Sequence, residues 1–187
     1  MRTCGCNLEC VWCDTLYARK EEGIDMSPYD VLEKVSDHGT PFVCLTGGEP
    51  LLQKDVLEFI ELLLNSSFHV SIETNGSISL EELPCSADLL ISMDIKCPSS
   101  GMSERMVMEN LELLSPADQL KFVVADEDDL VYAEKVLKEH RVLCTVIVTP
   151  VGGLDLRPVA EWVLSRKLQV RVLPQLQKII WGQRKGV

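Results

Sequence analysis

Apolar segments alternate with amphipathic segments along almost the whole chain, and this alternation constrains the fold more than any other feature. It predicts strands at 42–46, 68–73, 88–94, 119–124, 143–148 and 169–173. It predicts helices at 27–39, with Ser27 as N-cap, and at 54–65, 103–114, 127–140 and 155–166. Apolar strands that alternate with amphipathic helices form parallel sheets covered by those helices. We therefore expect an α/β fold, a partial, open (β/α) barrel, as one domain over 1–187.

The composition excludes several classes of protein. With 187 residues the chain can bury a sizeable core, and no apolar run is long enough to predict a membrane span. The net charge of −11 argues against a broad nucleic-acid or lipid surface, which needs clustered Lys and Arg, but permits a small anionic substrate. No signal-peptide pattern opens the chain, and three of its eight cysteines are closely spaced, so we expect a reducing cytoplasm.

A run of three cysteines stands near the N-terminus, at Cys6, Cys10 and Cys13. Three thiolates on one short loop can bind three irons of a cubane [4Fe–4S] cluster and leave the fourth iron open for chemistry. The spacing also fits a zinc site completed by Cys4 or by a distant residue, or simply buried cysteines. The cysteines alone leave these alternatives open.

The predicted strand at 42–46 leads into Gly47, Gly48, Glu49 and Pro50. Two glycines after a buried strand let a ligand approach the backbone closely, because no Cβ is in the way. By itself this segment is also compatible with an ordinary turn. Together with the upstream cysteines it resembles the radical S-adenosylmethionine (SAM) superfamily, in which SAM chelates the open iron and the Gly-Gly-Glu segment lines its methionine end.

Further segments narrow the resemblance. They are Arg2, Asp14-Thr15, 72–76, 94–100, 121–124 and 170–182. Together they resemble the 7-carboxy-7-deazaguanine synthase family over almost the entire chain. That resemblance implies a carbon–nitrogen lyase that converts 6-carboxy-5,6,7,8-tetrahydropterin to 7-carboxy-7-deazaguanine with loss of ammonia, in queuosine- or archaeosine-type 7-deazapurine biosynthesis.

The resemblance also implies cofactors and partners. The expected cofactors are a [4Fe–4S] cluster, SAM and Mg²⁺. The expected partners are the pterin substrate and an electron donor such as flavodoxin or ferredoxin, with no nucleic acid and no membrane. A homodimer is expected.

Residue roles follow from the same resemblance. Cys6, Cys10 and Cys13 would bind the cluster, and Thr15 would offer a hydroxyl to Mg²⁺, although a helix cap is an alternative for Thr15. SAM would contact Trp12, Cys13, Asp14, Gly48, Asp94, Ile95, Lys96 and Thr149. The substrate would contact Arg2, Thr46 and the terminal carboxylate of Val187.

Two features depart from the family pattern. Gln177 replaces a histidine of the family tail, and glutamine keeps a hydrogen-bonding end but cannot titrate near neutrality. The family also has a first barrel strand and a substrate-contacting loop before the cysteines, whereas this chain begins at Met1. Arg2-Thr3 has the pattern of the end of a strand whose beginning is missing, so we expect an unpaired sheet edge and a pocket that is open on one side. An upstream extension of the reading frame is expected to raise stability and activity.

The other notable residues have structural interpretations. We interpret Cys44, Cys85, Cys97 and Cys144 as small buried hydrophobic residues. The acidic run 126–129 is interpreted as a solvated helix start that complements the helix dipole.

Two other functions remain possible at this level. One is a radical SAM activase that acts on a protein partner, and the other is a non-catalytic metal-binding remnant. Turnover of the pterin without a protein partner would exclude the first. Iron–sulfur absorbance after anaerobic reconstitution would exclude a zinc module.

Overall fold

A computed structural model describes residues 1–182, 184 and 185. Its seven strands form one parallel sheet whose spatial order follows the chain order. They are β1 (Arg2–Thr3), β2 (Phe42–Gly47), β3 (His69–Thr74), β4 (Leu89–Lys96), β5 (Gln119–Val124), β6 (Thr145–Pro150) and β7 (Arg171–Val172). Since β1 and β7 stand at opposite edges, the sheet is open, and the α/β fold with an open (β/α) barrel is confirmed.

Helices connect the strands. Within the described residues they are α1 (Leu16–Lys20), α2 (Pro28–Ser36), α3 (Val56–Asn65), α4 (Asn110–Leu113), α5 (Glu127–Glu139), α6 (Arg157–Arg166) and α7 (Leu176–Trp181). None of them is long and apolar enough to cross a membrane. Most agree with the predicted helices to within a few residues, but the short α1 and α7 have no counterpart among the predicted elements.

Alternation along the strands gives the sheet two different faces. Ile95 on β4 and Phe122 on β5 are completely buried in the main hydrophobic cluster, which includes residues of α5 and α6. Their neighbours Asp94, Lys96 and Lys121 line a cavity instead. Successive side chains of a strand point to opposite faces, so one strand supplies both core and site.

Helices α2 and α3 contribute to a second hydrophobic cluster with β2 and β3. The predicted cap at Ser27 is present as a reciprocal capping box, in which Asp30 N donates to the Ser27 hydroxyl and Ser27 N donates to the Asp30 carboxylate. As predicted, Val31, Leu32 and Val35 form the inner face of α2.

The prediction of a single helix at 103–114 is wrong. A 3₁₀ turn (Ser103–Arg105) is followed by Met106 in an extended conformation and then by the four-residue α4. The connecting residues are bound to other segments: Lys96 N donates to Met106 Sδ at 3.2 Å, and Val107 N donates to Gly76 O at 3.0 Å. These long-range contacts replace the bonds of a continuous helix.

The first strand is present as a short end at Arg2–Thr3, as predicted, and the expectation of an unpaired edge is corrected for the part of β2 beside it. Arg2 and Thr3 pair in parallel with Thr46 and Gly47 as β1. The adjacent Met1 adds two bonds, since its ammonium group donates to Cys44 O at 2.8 Å and its carbonyl accepts from Thr46 N at 3.1 Å. The end of β2 that leads into Gly48 is therefore paired.

Candidate active site

A cavity of about 550 Å³ lies at the carboxyl ends of the strands. Six consecutive strands, β1 to β6, line it through Arg2, Thr46, Glu73, Asp94, Lys96, Lys121, Val123 and Thr149. The cysteine loop and the C-terminal segment around α7 supply further walls. This edge is where (β/α) barrels place their reactive groups, because the loops that follow the strands converge there.

Cys6, Cys10 and Cys13 all line this cavity and are partly buried. Burial raises the pKa of the Cys10 thiol, the neighbouring Cys13 and Cys6 add to this rise, and Lys96 opposes it. Cys4, the candidate fourth ligand of a zinc site, is not among the residues that line the cavity. Three thiols on one loop at one cavity fit a [4Fe–4S] cluster with an open iron.

Gly48 packs directly against the cysteine loop. A Cβ at this position would collide with the carbonyl oxygen of Gly5, one residue before Cys6. The same contact includes a hydrogen bond from Glu49 N to Gly5 O at 2.9 Å. The Gly-Gly turn therefore has a specific packing role, and it holds Gly48 in the wall of the cavity.

Glu49 was missed as a site residue. Its completely buried carboxylate accepts hydrogen bonds from Leu51 N at 3.0 Å, Thr74 Oγ1 at 2.9 Å and Asn75 N at 2.7 Å. Burial raises the pKa of Glu49 and these bonds oppose the rise. Asn75 in turn donates from Nδ2 to Cys6 Sγ at 3.6 Å. The strand-end motif around Asn75 was the available signal, but only the fold connects it to Glu49 and to a cysteine.

Four charged side chains cross the sheet at the cavity. Lys121 pairs with Glu73 and lies 3.3 Å from Asp94, which pairs with Lys96 at 2.6 Å. Burial opposes the ionised form of Asp94, yet Lys121 and Lys96 outweigh it and lower the pKa of Asp94 to about 2. Burial likewise opposes the charge on Lys121, but Asp94 and Glu73 raise its pKa. Lys121 and Glu73 were not predicted as site residues.

Trp12, predicted to border SAM, has its indole fixed on two sides. Its Nε1 donates to Ser99 Oγ at 3.0 Å, and Lys96 Nζ lies 5.9 Å from the ring centre. Ile95 differs from its neighbours, because its side chain is completely buried in the core and is not part of the cavity wall. The SAM contact of Ile95 stays a prediction, and its backbone is the part available for it.

Asp14 and Thr15 lie beside the last cysteine and line the cavity. Asp14 accepts from Gln175 Nε2 at 3.3 Å and pairs with Lys178 at 3.5 Å, so it links the cysteine loop to the C-terminal segment. Thr15 stands at the N-cap of α1 but makes no side-chain capping bond. Its hydroxyl oxygen is 3.8 Å from Cys13 Sγ, so the helix-cap interpretation has no support.

The predicted substrate residues lie at the first two strands. Arg2 and Thr46 are register partners on β1 and β2, and both line the cavity. Thr149 on β6, predicted to contact SAM, also lines the cavity and donates its hydroxyl to Leu173 O at 2.9 Å. Gln177 is also in the wall. Val187 lies outside the described residues.

The remaining cysteines divide into two groups. Cys97 and Cys144 are buried in the main cluster, as predicted. Cys44 and Cys85 are exposed, and the interpretation of these two as buried residues is wrong. Cys44 is on the cavity side of β2, two residues before Thr46, and therefore does not face the core.

Comparison with known proteins agrees with this site. The family model of the radical SAM superfamily matches residues 1–119. A 7-carboxy-7-deazaguanine synthase of Methanospirillum hungatei is 43% identical and covers 96% of this chain and 75% of its own. One of Thermoplasma acidophilum is 37% identical over 100% of this chain and 89% of its own.

Solved structures support the fold. QueE from Escherichia coli superposes with a TM-score of 0.72 at 22% identity, over 93% of this chain and 84% of QueE. Streptococcus suis SuiB bound to S-adenosylmethionine has a TM-score of 0.66 at 14% identity, over 91% of this chain and 48% of SuiB. The sequence relatives and the matching family model together place the chain in the 7-carboxy-7-deazaguanine synthase family of the radical SAM superfamily.

Proposed function

We propose that this enzyme converts 6-carboxy-5,6,7,8-tetrahydropterin to 7-carboxy-7-deazaguanine with loss of ammonia, as a carbon–nitrogen lyase of queuosine- or archaeosine-type biosynthesis. Substrate and product differ only by ammonia, so the reaction consumes no net oxidant. The observation that carries the proposal is that three cysteine thiols, Gly48 and a charged strand-end wall share one cavity with Arg2 and Thr46. This cavity joins a cofactor site to a site for a small anionic substrate.

Radical SAM enzymes use a [4Fe–4S] cluster and SAM, and the cysteine loop is where this chain would hold them. Cys6, Cys10 and Cys13 would bind the cluster, which together with SAM supplies the one-electron chemistry that removes a hydrogen atom from C6 of the substrate. Trp12, Cys13, Asp14, Gly48, Asp94, Lys96 and Thr149 line the cavity where SAM would lie. The paired charges of Asp94 and Lys96 are fixed before any ligand arrives, so a polar ligand meets dipoles that need little reorganisation.

Arg2 would bind the substrate carboxylate, because a planar fork of charged donors suits that group. Thr46 lies in register beside it and would offer a hydroxyl. Thr15 would contribute an oxygen ligand to Mg²⁺, a hard cation that prefers such ligands. Its hydroxyl makes no capping bond, which leaves the oxygen available for this role.

The enzyme needs an electron donor, and we propose a flavodoxin or a ferredoxin. We also propose that residues 1–187 form a single domain, that the enzyme is a homodimer, and that it acts in the cytoplasm. None of the proposed partners is a nucleic acid or a membrane.

Anaerobic reconstitution followed by turnover tests the proposal. Reconstituted protein is incubated with SAM, Mg²⁺, a chemical reductant and the carboxylated tetrahydropterin. The pterin-derived product is identified by mass spectrometry and the ammonia is quantified separately. We expect 7-carboxy-7-deazaguanine and ammonia in equal amounts, with no protein partner present. Cys10→Ala is the control for cluster dependence.

Other outcomes would reject the assignment. Reductive cleavage of SAM without conversion of the pterin would favour an activase. Bound zinc without iron–sulfur absorbance would favour a metal-binding remnant.

A further inference from the structure

We propose that Asp129, on the outer helix α5, is a positioning residue that holds Trp12 of the cysteine loop through Ser99. Within the acidic run 126–129 the first three side chains are exposed, as expected for a solvated helix start, but Asp129 is completely buried. Burying a carboxylate is costly unless it is hydrogen-bonded. Most of the hydrogen bonds that compensate for the burial of Asp129 come from Ser99, which contacts a residue of the cavity wall.

Two of the bonds to Asp129 come from one distant residue. Ser99 N donates to Asp129 Oδ1 at 2.9 Å, and the Ser99 hydroxyl donates to Oδ2. The third comes from Ala125 N at 2.8 Å and belongs to the helix start. The N-cap itself is Asp126, whose side chain accepts from Asp129 N at 3.0 Å. Capping of α5 therefore does not account for the two hydrogen bonds between Ser99 and Asp129.

The chemistry of this contact fixes its direction. The Ser99 hydroxyl has a single proton, and it is donated to Asp129 Oδ2. The lone pairs of the Ser99 oxygen are then free to accept from Trp12 Nε1, which lies 3.0 Å away. The next residue strengthens the contact, because Ser100 O accepts from Val11 N at 3.0 Å.

The consequence reaches the cofactor site. Trp12 precedes Cys13, and both line the cavity. With its nitrogen held by Ser99 and its face beneath Lys96, the indole has one orientation before any ligand binds. Asp129 thus pre-organises a wall of the proposed SAM site from the first turn of α5. This inference rests on the proposed function for its effect on SAM, but the orientation of Trp12 can be measured without SAM.

The experiment compares Asp129→Asn and Ser99→Ala with Asp126→Ala. The last variant removes the N-cap of the same helix without touching Ser99 and is the matched control. The first readout is acrylamide quenching of Trp12 fluorescence in the full chain, in a background carrying Trp162→Phe and Trp181→Phe. The second is the Kd for SAM of the reconstituted protein, with iron content measured in parallel.

We expect Asp129→Asn and Ser99→Ala to make Trp12 more accessible to quencher and to raise the Kd for SAM about 3- to 10-fold, the factor for losing one hydrogen bond. Iron content should be unchanged. Asp126→Ala should lower the Tm, with quenching and Kd as in the parent. Adding Asp129→Asn to Trp12→Phe should raise the Kd no further, since phenylalanine lacks the donor.

Unchanged quenching and unchanged SAM affinity in both Asp129→Asn and Ser99→Ala would overturn the inference. If Asp129→Asn does not fold, Ser99→Ala decides, because it removes only one partly exposed hydroxyl group. If the parent protein fails to bind SAM, the proposed function fails, while the quenching comparison still decides whether Asp129 positions Trp12.

Discussion

Lys121 on β5 lies directly opposite Asp94 on β4, with its ammonium nitrogen 3.3 Å from Asp94 Oδ1. Lys121 also pairs with Glu73 on β3, and Asp94 pairs with Lys96. Four charges of alternating sign therefore connect three neighbouring strands at the cavity. Partly buried charges of this kind depend on their partners, so loss of one is expected to affect the others.

Lys121→Met tests this dependence. The change keeps an unbranched side chain but leaves Asp94 and Glu73 without their shared cation. We expect the free energy of unfolding in urea to fall by about 1 to 2 kcal/mol, less than the ~3 to 5 kcal/mol for breaking a fully buried pair, because these side chains are partly exposed. Lys135→Met is the matched control, because Lys135 forms an exposed pair with Glu139 and should change stability by less than about 0.5 kcal/mol. Equal effects of the two variants would contradict the network.

The pair of Lys121 and Asp94 also predicts that the free energy of unfolding depends on pH below about pH 4. The pKa of Asp94 is about 2 in the folded chain, below the unfolded value of ~3.9. The stability gained from its ionised form is therefore fully present above ~pH 4 and is lost as the pH falls toward 2. Lys121→Met removes the larger of the two lysine contributions to this gain, so the difference in unfolding free energy between parent and variant should narrow between pH 4 and pH 2. Urea titrations of the metal-free chain measure it, and a constant difference would exclude Asp94 as the titrating group.

Cysteine variants are expected to fall into two groups according to the iron content of the reconstituted protein. Anaerobic reconstitution should give about four irons and four sulfides per chain. Cys6→Ala, Cys10→Ala or Cys13→Ala should abolish both the cluster and SAM cleavage, because each removes one of the three proposed ligands. Cys44→Ala, in the same cavity, and Cys144→Ala, in the core, should keep the cluster. Loss of iron in Cys44→Ala together with retention in Cys10→Ala would reverse the ligand assignment.

Removal of the Thr15 hydroxyl tests the role of this residue as a Mg²⁺ ligand. Turnover should rise with Mg²⁺, and Thr15→Val should remove this response while iron content stays the same, because only an oxygen ligand is lost. Thr46→Val is a useful comparison, since Thr46 lines the same cavity and its loss should raise the KM for the pterin but leave the Mg²⁺ response intact. An undiminished Mg²⁺ response in Thr15→Val would reject the metal role.

Sequence patterns were sufficient for the framework of this protein. The alternation of strands and helices, the cap at Ser27, the cysteine spacing and the Gly47-Gly48 turn are all local, and the structure contains each of them. Periodicity and capping depend on residues a few positions apart, so they can be predicted from the sequence alone. The positions of the site residues at the strand ends follow from the same alternation.

The tertiary structure decided which side chains meet. The register between β4 and β5 sets Lys121 opposite Asp94, and the fold brings Glu49 to Asn75 and Asp129 to Ser99. It also interrupts the helix predicted at 103–114, since Val107 bonds to Gly76. Each of these contacts joins residues about 25 or more positions apart, and their free energies exceed the local preferences they override. The sequence by itself determined most of the strands and helices and the spacing of the three cysteines, whereas packing between distant segments determined which buried charges and hydrogen bonds surround the site.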